Sequence, residues 1–465
     1  MIRQIIILSL TLISFNVFSQ NDLDLKINFK NIKNSDLYLG YYYGKKTYVI
    51  DTVKINDKGF AEFKSADKLP VGLYFIALPN LKYFEIILDK NQKFTVNVKD
   101  IKLLEKISFE NSQQNTNFYK YKINIAQLFV KSGLLVNRLQ INRNNKDSIF
   151  EIQKQINTFN KKIKNYKLKV ITNNKGTFLA EMINSMIEPD INEFNKLPQN
   201  TNMQIQNKLR YQYYKNHFFD NYNFSNPSLL RSQILDNKLN LFFKKVLKHN
   251  PDTIINEIKK LTKKAEKNKS VYIFTIDWLF NYYKDYNKKL GYDKIFVFLV
   301  DNFIKTNKIT WIDDKTKQIY LQTAEILRPV LIGKIAPELK LKNQNDTIVS
   351  LTKKYADVTI LLFWSLDDEK SSQAIIDIID ALIEFKDKDI QVYSVCVNSN
   401  INDWKSTPLT ERKNWINVCD DLNKVNSSGY YLQKVPRIMI LDYQKKILTN
   451  NAKSKNLKRI LSRIL

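Results

Sequence analysis

Apolar and polar residues alternate through the first part of the chain. The alternation is regular from Leu23 to Phe29, and similar runs recur as far as Val98. A period of two predicts β-strands that bury one face and expose the other. The segment Asn56-Asp57-Lys58-Gly59 separates two of these runs, and its composition is typical of a hairpin turn. This pattern predicts an antiparallel β domain over residues 21–105.

The spacing of apolar residues becomes helical between about residues 117 and 327. Ile255, Ile258 and Leu261, for example, follow one another at intervals of three and lie on one face of a helix. Asn-Pro pairs interrupt this region, as is typical of boundaries between helices. We therefore predict an all-helical middle domain over residues 110–332.

Strand and helix patterns alternate in the last part of the chain. The apolar run from Thr359 to Trp364 predicts a buried strand, and a polar turn then leads into a helical pattern over residues 372–385. Further strand patterns and a closing helix pattern occupy residues 390–397, 414–418, 435–442 and 457–465. This alternation predicts an α/β domain over residues 333–465, and hence a multidomain α+β protein.

The C-terminal segment resembles the redoxin branch of the thioredoxin-like proteins. Gly333-Lys334-Ile335-Ala336-Pro337-Glu338-Leu339 is similar to the entry segment of that branch, and Val435-Pro436 stands where the family has its x-Pro strand. Upstream, residues 218–231 and 328–333 are similar to a helical domain of unknown function in related exported proteins. The resemblance implies a thioredoxin-like C-terminal domain of the thiol–disulfide oxidoreductase type. A β domain and a helical domain precede it in the chain.

In thioredoxin-like proteins, an apolar strand ending in Phe-Trp leads into a helix that begins with Cys-x-x-Cys. Counted from Phe363-Trp364, the two cysteine positions fall on Asp368 and Ser371, neither of which can form a disulfide. The resemblance therefore implies that the active site is degenerate and redox-inactive, and we expect no catalytic residue there. An aspartate before a helix is also an ordinary N-cap residue, so retained capping alone explains the same sequence.

The degenerate site is also compatible with a binding role. The resemblance places six residues around one groove: Trp364, Asp367, Asp368, Ser371, Val435 and Pro436. It also implies a cis peptide bond between the last two. In such proteins the residue before the proline pairs its backbone with an extended peptide, and strand addition of this kind needs no sulfur. The expected partner is an envelope protein or an extended peptide segment.

The chain has two cysteines, Cys396 and Cys419, each at the end of an apolar strand pattern. Buried thiols often serve as small apolar side chains, which is the first interpretation. A disulfide between the two is the second, since an exported protein with two cysteines can pair them. A catalytic dithiol is the third. It corresponds to the alternative that the protein is an active envelope thiol–disulfide oxidoreductase that uses Cys396 or Cys419.

The first 20 residues have the features of a signal peptide. Arg3 gives a basic start, residues 5–18 are mostly apolar, and Phe18-Ser19-Gln20 is a suitable cleavage end. The apolar stretch is shorter than a typical membrane span. We therefore predict export to the periplasm or cell envelope, with no stable membrane span after cleavage of the signal peptide. An uncleaved anchor is the alternative.

The net charge is +28, which raises the question of nucleic-acid binding. The basic residues are spread along the chain among acidic ones, whereas a phosphate-binding surface needs them clustered. We therefore expect a lysine-coated surface and no nucleic-acid partner. The 9 glycines form neither a dinucleotide-binding turn nor a phosphate loop, and His217 and His249 lack metal-ligand spacing. No cofactor and no metal are expected, and a binding protein is favoured over an enzyme.

Overall fold

The structure of the protein is a computed structural model that describes residues 22–190, 202–286, 291–353, 355–397, 400–407, 414–420, 423–432 and 434–465. The strands are β1 (Leu23–Phe29), β2 (Ser35–Tyr43), β3 (Lys46–Ile55), β4 (Phe60–Ser65), β5 (Gly72–Ala77), β6 (Tyr83–Leu88), β7 (Lys93–Val98), β8 (Ile107–Glu110), β9 (Lys340–Lys342), β10 (Ile348–Ser350), β11 (Val358–Trp364), β12 (Ile390–Cys396), β13 (Trp415–Cys419), β14 (Arg437–Asp442) and β15 (Ile447–Ala452). The helices are α1 (Gln113–Ile141), α2 (Lys146–Asn173), α3 (Phe178–Ser185), α4 (Met203–His217), α5 (Ile234–Leu241), α6 (Pro251–Ala265), α7 (Lys269–Tyr283), α8 (Tyr292–Leu299), α9 (Asp314–Leu327), α10 (Glu369–Glu384), α11 (Ile401–Ser406), α12 (Lys424–Ser427) and α13 (Leu457–Ile464).

Contacts between Cα atoms divide the chain into two compact units. The first comprises Met1–Leu247 with Lys264–Tyr272, and the second comprises Lys248–Lys263 with Ile273–Leu465. Helices of the middle region therefore belong to both units. The domain boundaries drawn from the sequence stay a prediction.

The β region of the first unit forms two four-stranded sheets. Their strand orders are β4-β1-β7-β8 and β3-β2-β5-β6. The neighbouring strands are antiparallel, as predicted, apart from β1 and β7, which run parallel with Leu25 opposite Phe94. Alternation along a strand shows which face is buried, but it does not reveal the direction of the neighbouring strand.

The turn at residues 56–59 forms, but it does not join paired strands. The Asn56 side chain accepts hydrogen bonds from the backbone N–H of Lys58 (3.0 Å) and of Phe60 (2.9 Å). Gly59 has a φ of +82°, and a Cβ there would lie 2.2 Å from the Phe29 carbonyl oxygen. However, β3 pairs with β2 and β4 pairs with β1. The hairpin prediction was wrong because turn residues fix the local bend and not the strand pairing beyond it.

A buried amide attaches helix α1 to strand β6. The Asn115 side chain accepts a hydrogen bond from the Ile87 N–H (2.7 Å) and donates one to the Ile87 carbonyl (2.9 Å). Asn115 is fully buried. The Ser112 side chain caps α1 by accepting a hydrogen bond from the Asn115 N–H. The helical region therefore begins directly after the β sheets, as the change of apolar period predicts.

The second unit contains a seven-stranded sheet in the order β10-β9-β13-β12-β11-β14-β15. Strands β11, β12 and β13 are parallel, and β14 is antiparallel to β11. One apolar cluster includes Trp364 with Ala374 and Ile378 of α10, and another includes Phe363 with Met439. Successive side chains of a strand point to opposite faces, so β11 contributes to both clusters. The predicted α+β class is confirmed.

A buried polar cluster lies between α8 and the sheet of the second unit. Asn450 Nδ2 donates hydrogen bonds to the Asp293 carboxylate and to the Val330 carbonyl, the latter at 3.0 Å. Burial raises the pKa of Asp293, and the Asn450 hydrogen bond partly offsets that rise. Arg437 donates hydrogen bonds to the carbonyls of Asn450 (3.1 Å) and Tyr430 (2.8 Å). These contacts attach α8 to β14 and β15.

Two segments relevant to the sequence predictions lie wholly or partly outside the residues that the structure describes. The predicted signal peptide, residues 1–20, lies outside the described residues. The polar insert between Cys396 and Cys419 is described only in part. Within the described ranges, none of the helices is both long enough and apolar enough to cross a membrane.

Candidate functional site

The candidate site is built where strand β11 ends and helix α10 begins. β11 is buried along its whole length and ends at Trp364. Asp368 is the N-cap residue of α10, with an extended backbone (φ −112°, ψ 109°). Its side chain accepts a hydrogen bond from the Ser371 N–H at 2.8 Å. The same N–H also approaches the Asp368 carbonyl at 2.9 Å, so Asp368 caps the first turn and the helix starts without a cysteine.

Asp368 and Ser371, the positions that correspond to the two cysteines, are in direct contact. Ser371 Oγ donates a hydrogen bond to Asp368 Oδ2 at 2.7 Å, and the same oxygen accepts the Ser371 N–H. Ser371 Oγ in turn accepts a hydrogen bond from the Ser365 N–H at 3.3 Å. Ser371 is fully buried and Asp368 is half-buried. A hydrogen-bonded carboxylate–hydroxyl pair therefore occupies the start of the helix.

The predicted site residues differ in exposure. Trp364 is only 5% exposed and packs in the apolar cluster with α10. Its indole Nε1 has no hydrogen-bond partner among the residues that the structure describes. Asp367 is exposed, and three residues are half-buried: Asp368, Val435 and Pro436. Trp364 and Ser371 therefore lie beneath the surface, whereas solvent reaches the other four.

The Val435–Pro436 peptide bond is cis, as the resemblance implies. Strand β14 begins at the next residue, Arg437, which is opposite Phe363 of β11. Continuing this antiparallel register by one residue brings Pro436 level with Trp364. The Val435 side chain packs against the cluster that contains Phe363, on the sheet face opposite α10. The Val435 backbone thus lies at the end of the sheet where α10 starts, while its side chain packs on the other face.

Cys396 and Cys419 lie side by side on neighbouring parallel strands. Trp364 of β11 is opposite Cys396 of β12, and Cys396 is opposite Cys419 of β13. Because neighbouring strands are about 4.8 Å apart, the three residues form a short row across the sheet. Both cysteines are buried thiols in the cluster that contains Trp364. The row depends on sheet register, and the only sequence signal for it is that each cysteine ends a strand pattern.

Side chains suited to metal binding do not converge in the part of the chain that the structure describes. No group of three His, Cys, Asp or Glu residues is placed there to hold a metal ion. His217 Nδ1 lies 2.6 Å from the Asp220 carboxylate, which also accepts a hydrogen bond from Lys264 at 3.2 Å. These three side chains are exposed or nearly so. His217 therefore acts as a surface hydrogen-bond partner of Asp220.

Comparison with known families identifies two segments of the chain. Residues 332–447 match the AhpC/TSA family. The C-terminal domain is a thioredoxin-like redoxin domain. Residues 154–328 match a domain of unknown function, DUF5106, so a helical domain of that family precedes the redoxin domain. The resemblance drawn from Gly333–Leu339 and the x-Pro strand is confirmed.

Several solved structures are similar to this chain. A thioredoxin-like protein from Bacteroides caccae is 18% identical with a TM-score of 0.46, over 60% of this chain and 98% of that one. A domain of a possible thiol-disulfide isomerase from Cytophaga hutchinsonii is 26% identical with a TM-score of 0.25, over 29% of this chain and 93% of that one. The thioredoxin domain of a thiol-disulfide oxidoreductase from Bacteroides vulgatus is 20% identical with a TM-score of 0.26, over 28% of this chain and 96% of that one. No curated protein matches the chain.

Proposed function

We propose that this is an exported protein of the cell envelope whose redoxin domain binds a protein or an extended peptide segment and does not exchange disulfides at the usual position. The observation that carries the proposal is the Asp368–Ser371 pair at the start of α10. Disulfide exchange requires an attacking thiolate. A carboxylate and a hydroxyl occupy the two positions instead, joined by a hydrogen bond of 2.7 Å.

The backbone before the cis proline supports the binding role. Val435 lies outside β14, and no backbone hydrogen bond joins it to another described residue. An extended segment that runs beside Val435 would therefore meet an N–H and a carbonyl suited to strand addition. Asp367 is exposed at the same end of the sheet. Its charge favours a partner segment with basic or hydrogen-bond-donating side chains.

Substitutions at Val435 test this backbone contact. We expect Val435→Pro, which removes the N–H donor, to weaken binding of an unfolded chain about three- to tenfold, the effect of one lost hydrogen bond. Val435→Thr keeps the N–H and nearly the same volume, and it should bind like the parent. The probe is reduced, carboxymethylated α-lactalbumin carrying a fluorophore, and the readout is fluorescence anisotropy. Equal affinities for all three proteins would exclude the Val435 backbone from the site.

The row of Trp364, Cys396 and Cys419 favours an alternative function. Two thiols one strand spacing apart fall within the Cα separation at which disulfides form, about 4.4–6.8 Å. According to this alternative, the protein is an envelope thiol–disulfide oxidoreductase that uses Cys396 or Cys419. The burial of both thiols opposes this function, because a substrate disulfide must reach the thiolate.

Insulin reduction separates the two functions. With dithiothreitol as the electron source, the parent protein should reduce insulin disulfides no faster than the buffer control. The Cys396→Ser/Cys419→Ser variant should give the same rate, because neither thiol is reached by the substrate. If the parent is active and the double variant is not, the protein is an oxidoreductase and the redox-inactive function is rejected.

A further inference from the structure

The first unit contains a cavity of about 320 Å³. This volume lies within the range of small-molecule sites, about 300–1,000 Å³. The cavity is lined by residues of strands β2, β5 and β6 and by residues in or next to helices α1, α3 and α5. The cavity is separate from the redoxin domain, since its lining residues all fall between residues 42 and 237.

Aromatic and thioether side chains form most of the apolar lining. Tyr42, Phe118 and Tyr121 are buried, with 5%, 4% and 6% of their surface exposed. Met182 is also buried, whereas Met186 is 36% exposed and lies in the part of the lining that solvent reaches. Aromatic faces and flexible thioethers suit a ring-sized apolar group, and methionine adapts to its shape.

The charged groups that line the cavity neutralise each other. Glu85 and Lys122 are the charged residues of the lining, and their side chains are 2.8 Å apart. Glu85 Oε1 also accepts a hydrogen bond from the Tyr42 hydroxyl at 3.1 Å. Burial raises the pKa of Tyr42, so the phenol stays protonated as a donor. Each carboxylate oxygen of Glu85 therefore already has a donor, and the nearby charge of Lys122 repels a cationic ligand.

Lys122 retains capacity to donate hydrogen bonds. An ammonium group has three N–H donors. Among the residues that the structure describes, Glu85 is the acceptor that Lys122 uses. The ammonium also lies 5.2 Å from the centre of the Phe118 ring, at the edge of the aromatic lining. A ligand atom that accepts a hydrogen bond can thus meet Lys122 while the ligand body packs on the rings.

We propose that this cavity binds an uncharged small molecule with an apolar, ring-sized body and a hydrogen-bond acceptor that meets Lys122. The aromatic and methionine side chains supply most of the contact area, and the Glu85–Lys122 pair selects against charge. A ligand anion would gain attraction to Lys122 but suffer repulsion from Glu85 at similar range.

Two fluorescent probes with one aromatic body test this selection. N-phenyl-1-naphthylamine is uncharged, and 8-anilinonaphthalene-1-sulfonate is the same body with a sulfonate. In physiological salt, which screens the general attraction of the basic chain for anions, the uncharged probe should bind the full chain saturably at one site. The sulfonate should bind at least about tenfold more weakly. Glu85→Gln should remove this difference, because it leaves the charge of Lys122 uncompensated.

Matched tryptophan variants locate the site. Met186→Trp replaces a flexible thioether at the cavity with a larger, rigid indole and should weaken binding of the uncharged probe at least about tenfold. Met203→Trp makes the same change at a 76% exposed residue of α4 that does not line the cavity, and it should leave binding unchanged. The proposal is overturned if both variants weaken binding equally, if neither does, or if the parent binds the sulfonate as tightly as the uncharged probe.

Discussion

Replacing Asp368 and Ser371 by cysteines is expected to give this protein a disulfide-exchange activity at least about tenfold above that of its parent in the insulin assay. The two side chains already touch at the helix start, with 2.7 Å between their oxygens. Backbone N–H groups and the helix dipole at this position stabilise a thiolate and lower the pKa of a thiol. Residue 368 is half-buried and can meet a substrate, whereas residue 371 is fully buried and can only resolve the mixed disulfide.

The single variants are the controls for this gain of activity. Asp368→Cys supplies an accessible thiol with no resolving partner, and Ser371→Cys supplies a buried thiol alone. Both should stay near the rate of the parent. The loss of the Asp368 cap costs about 0.5–2 kcal/mol, so thermal unfolding of each variant is measured alongside. A folded double variant with no activity above the single variants would contradict the assignment of these two positions.

Asn450→Ala is expected to lower the free energy of unfolding by about 2–4 kcal/mol at neutral pH, because it removes the side-chain donor that a buried carboxylate and a buried carbonyl share. The two acceptors are Asp293 and Val330, and Asp293 and Asn450 are 6% and 5% exposed. The neighbouring residue gives a matched control, since Asn451 is exposed. Asn451→Ala should change the free energy of unfolding by less than about 0.5 kcal/mol. Urea unfolding measures both.

The loss in the Asn450→Ala variant should depend on pH. In the native state burial raises the pKa of Asp293 above its ordinary value, and removing Asn450 takes away a contact that opposes this rise. Below the ordinary carboxyl pKa the group is protonated in both folded and unfolded states, and the loss is smallest. As the pH rises through the raised native pKa, the buried carboxylate loses its proton with the Lys294 N–H as a donor but without that of Asn450, and the loss reaches its full size. A loss of stability that does not change with pH would show that ionisation of Asp293 does not contribute to it.

The local features of the candidate site were predictable from sequence because they depend on neighbouring residues. The apolar run that ends at Trp364 predicts the buried strand, and Asp368 three residues before Ser371 is a recognisable helix cap. The burial of Trp364 is harder to anticipate. In a strand that is apolar throughout, the sequence pattern does not distinguish one face from the other.

Features that depend on distant residues were not predictable. The row of Trp364, Cys396 and Cys419 follows from the register of three strands, and the contact of Asp293 with Asn450 joins residues 157 positions apart. The cavity beside Glu85 likewise combines strands and helices that lie between residues 42 and 237. In each case packing between elements sets the geometry. The spacing of hydrophobic residues along the sequence gives no information about such packing.

Strand β1 constrains the order in which the first unit is assembled. It lies between β4 and β7 in its sheet, with Asp24 opposite Lys93 of β7. Pairing across such a long loop is slow, because the chain must close the loop before the contacts stabilise it. During synthesis β1 therefore keeps one open edge until Val98 has emerged, and an open edge can pair with other chains.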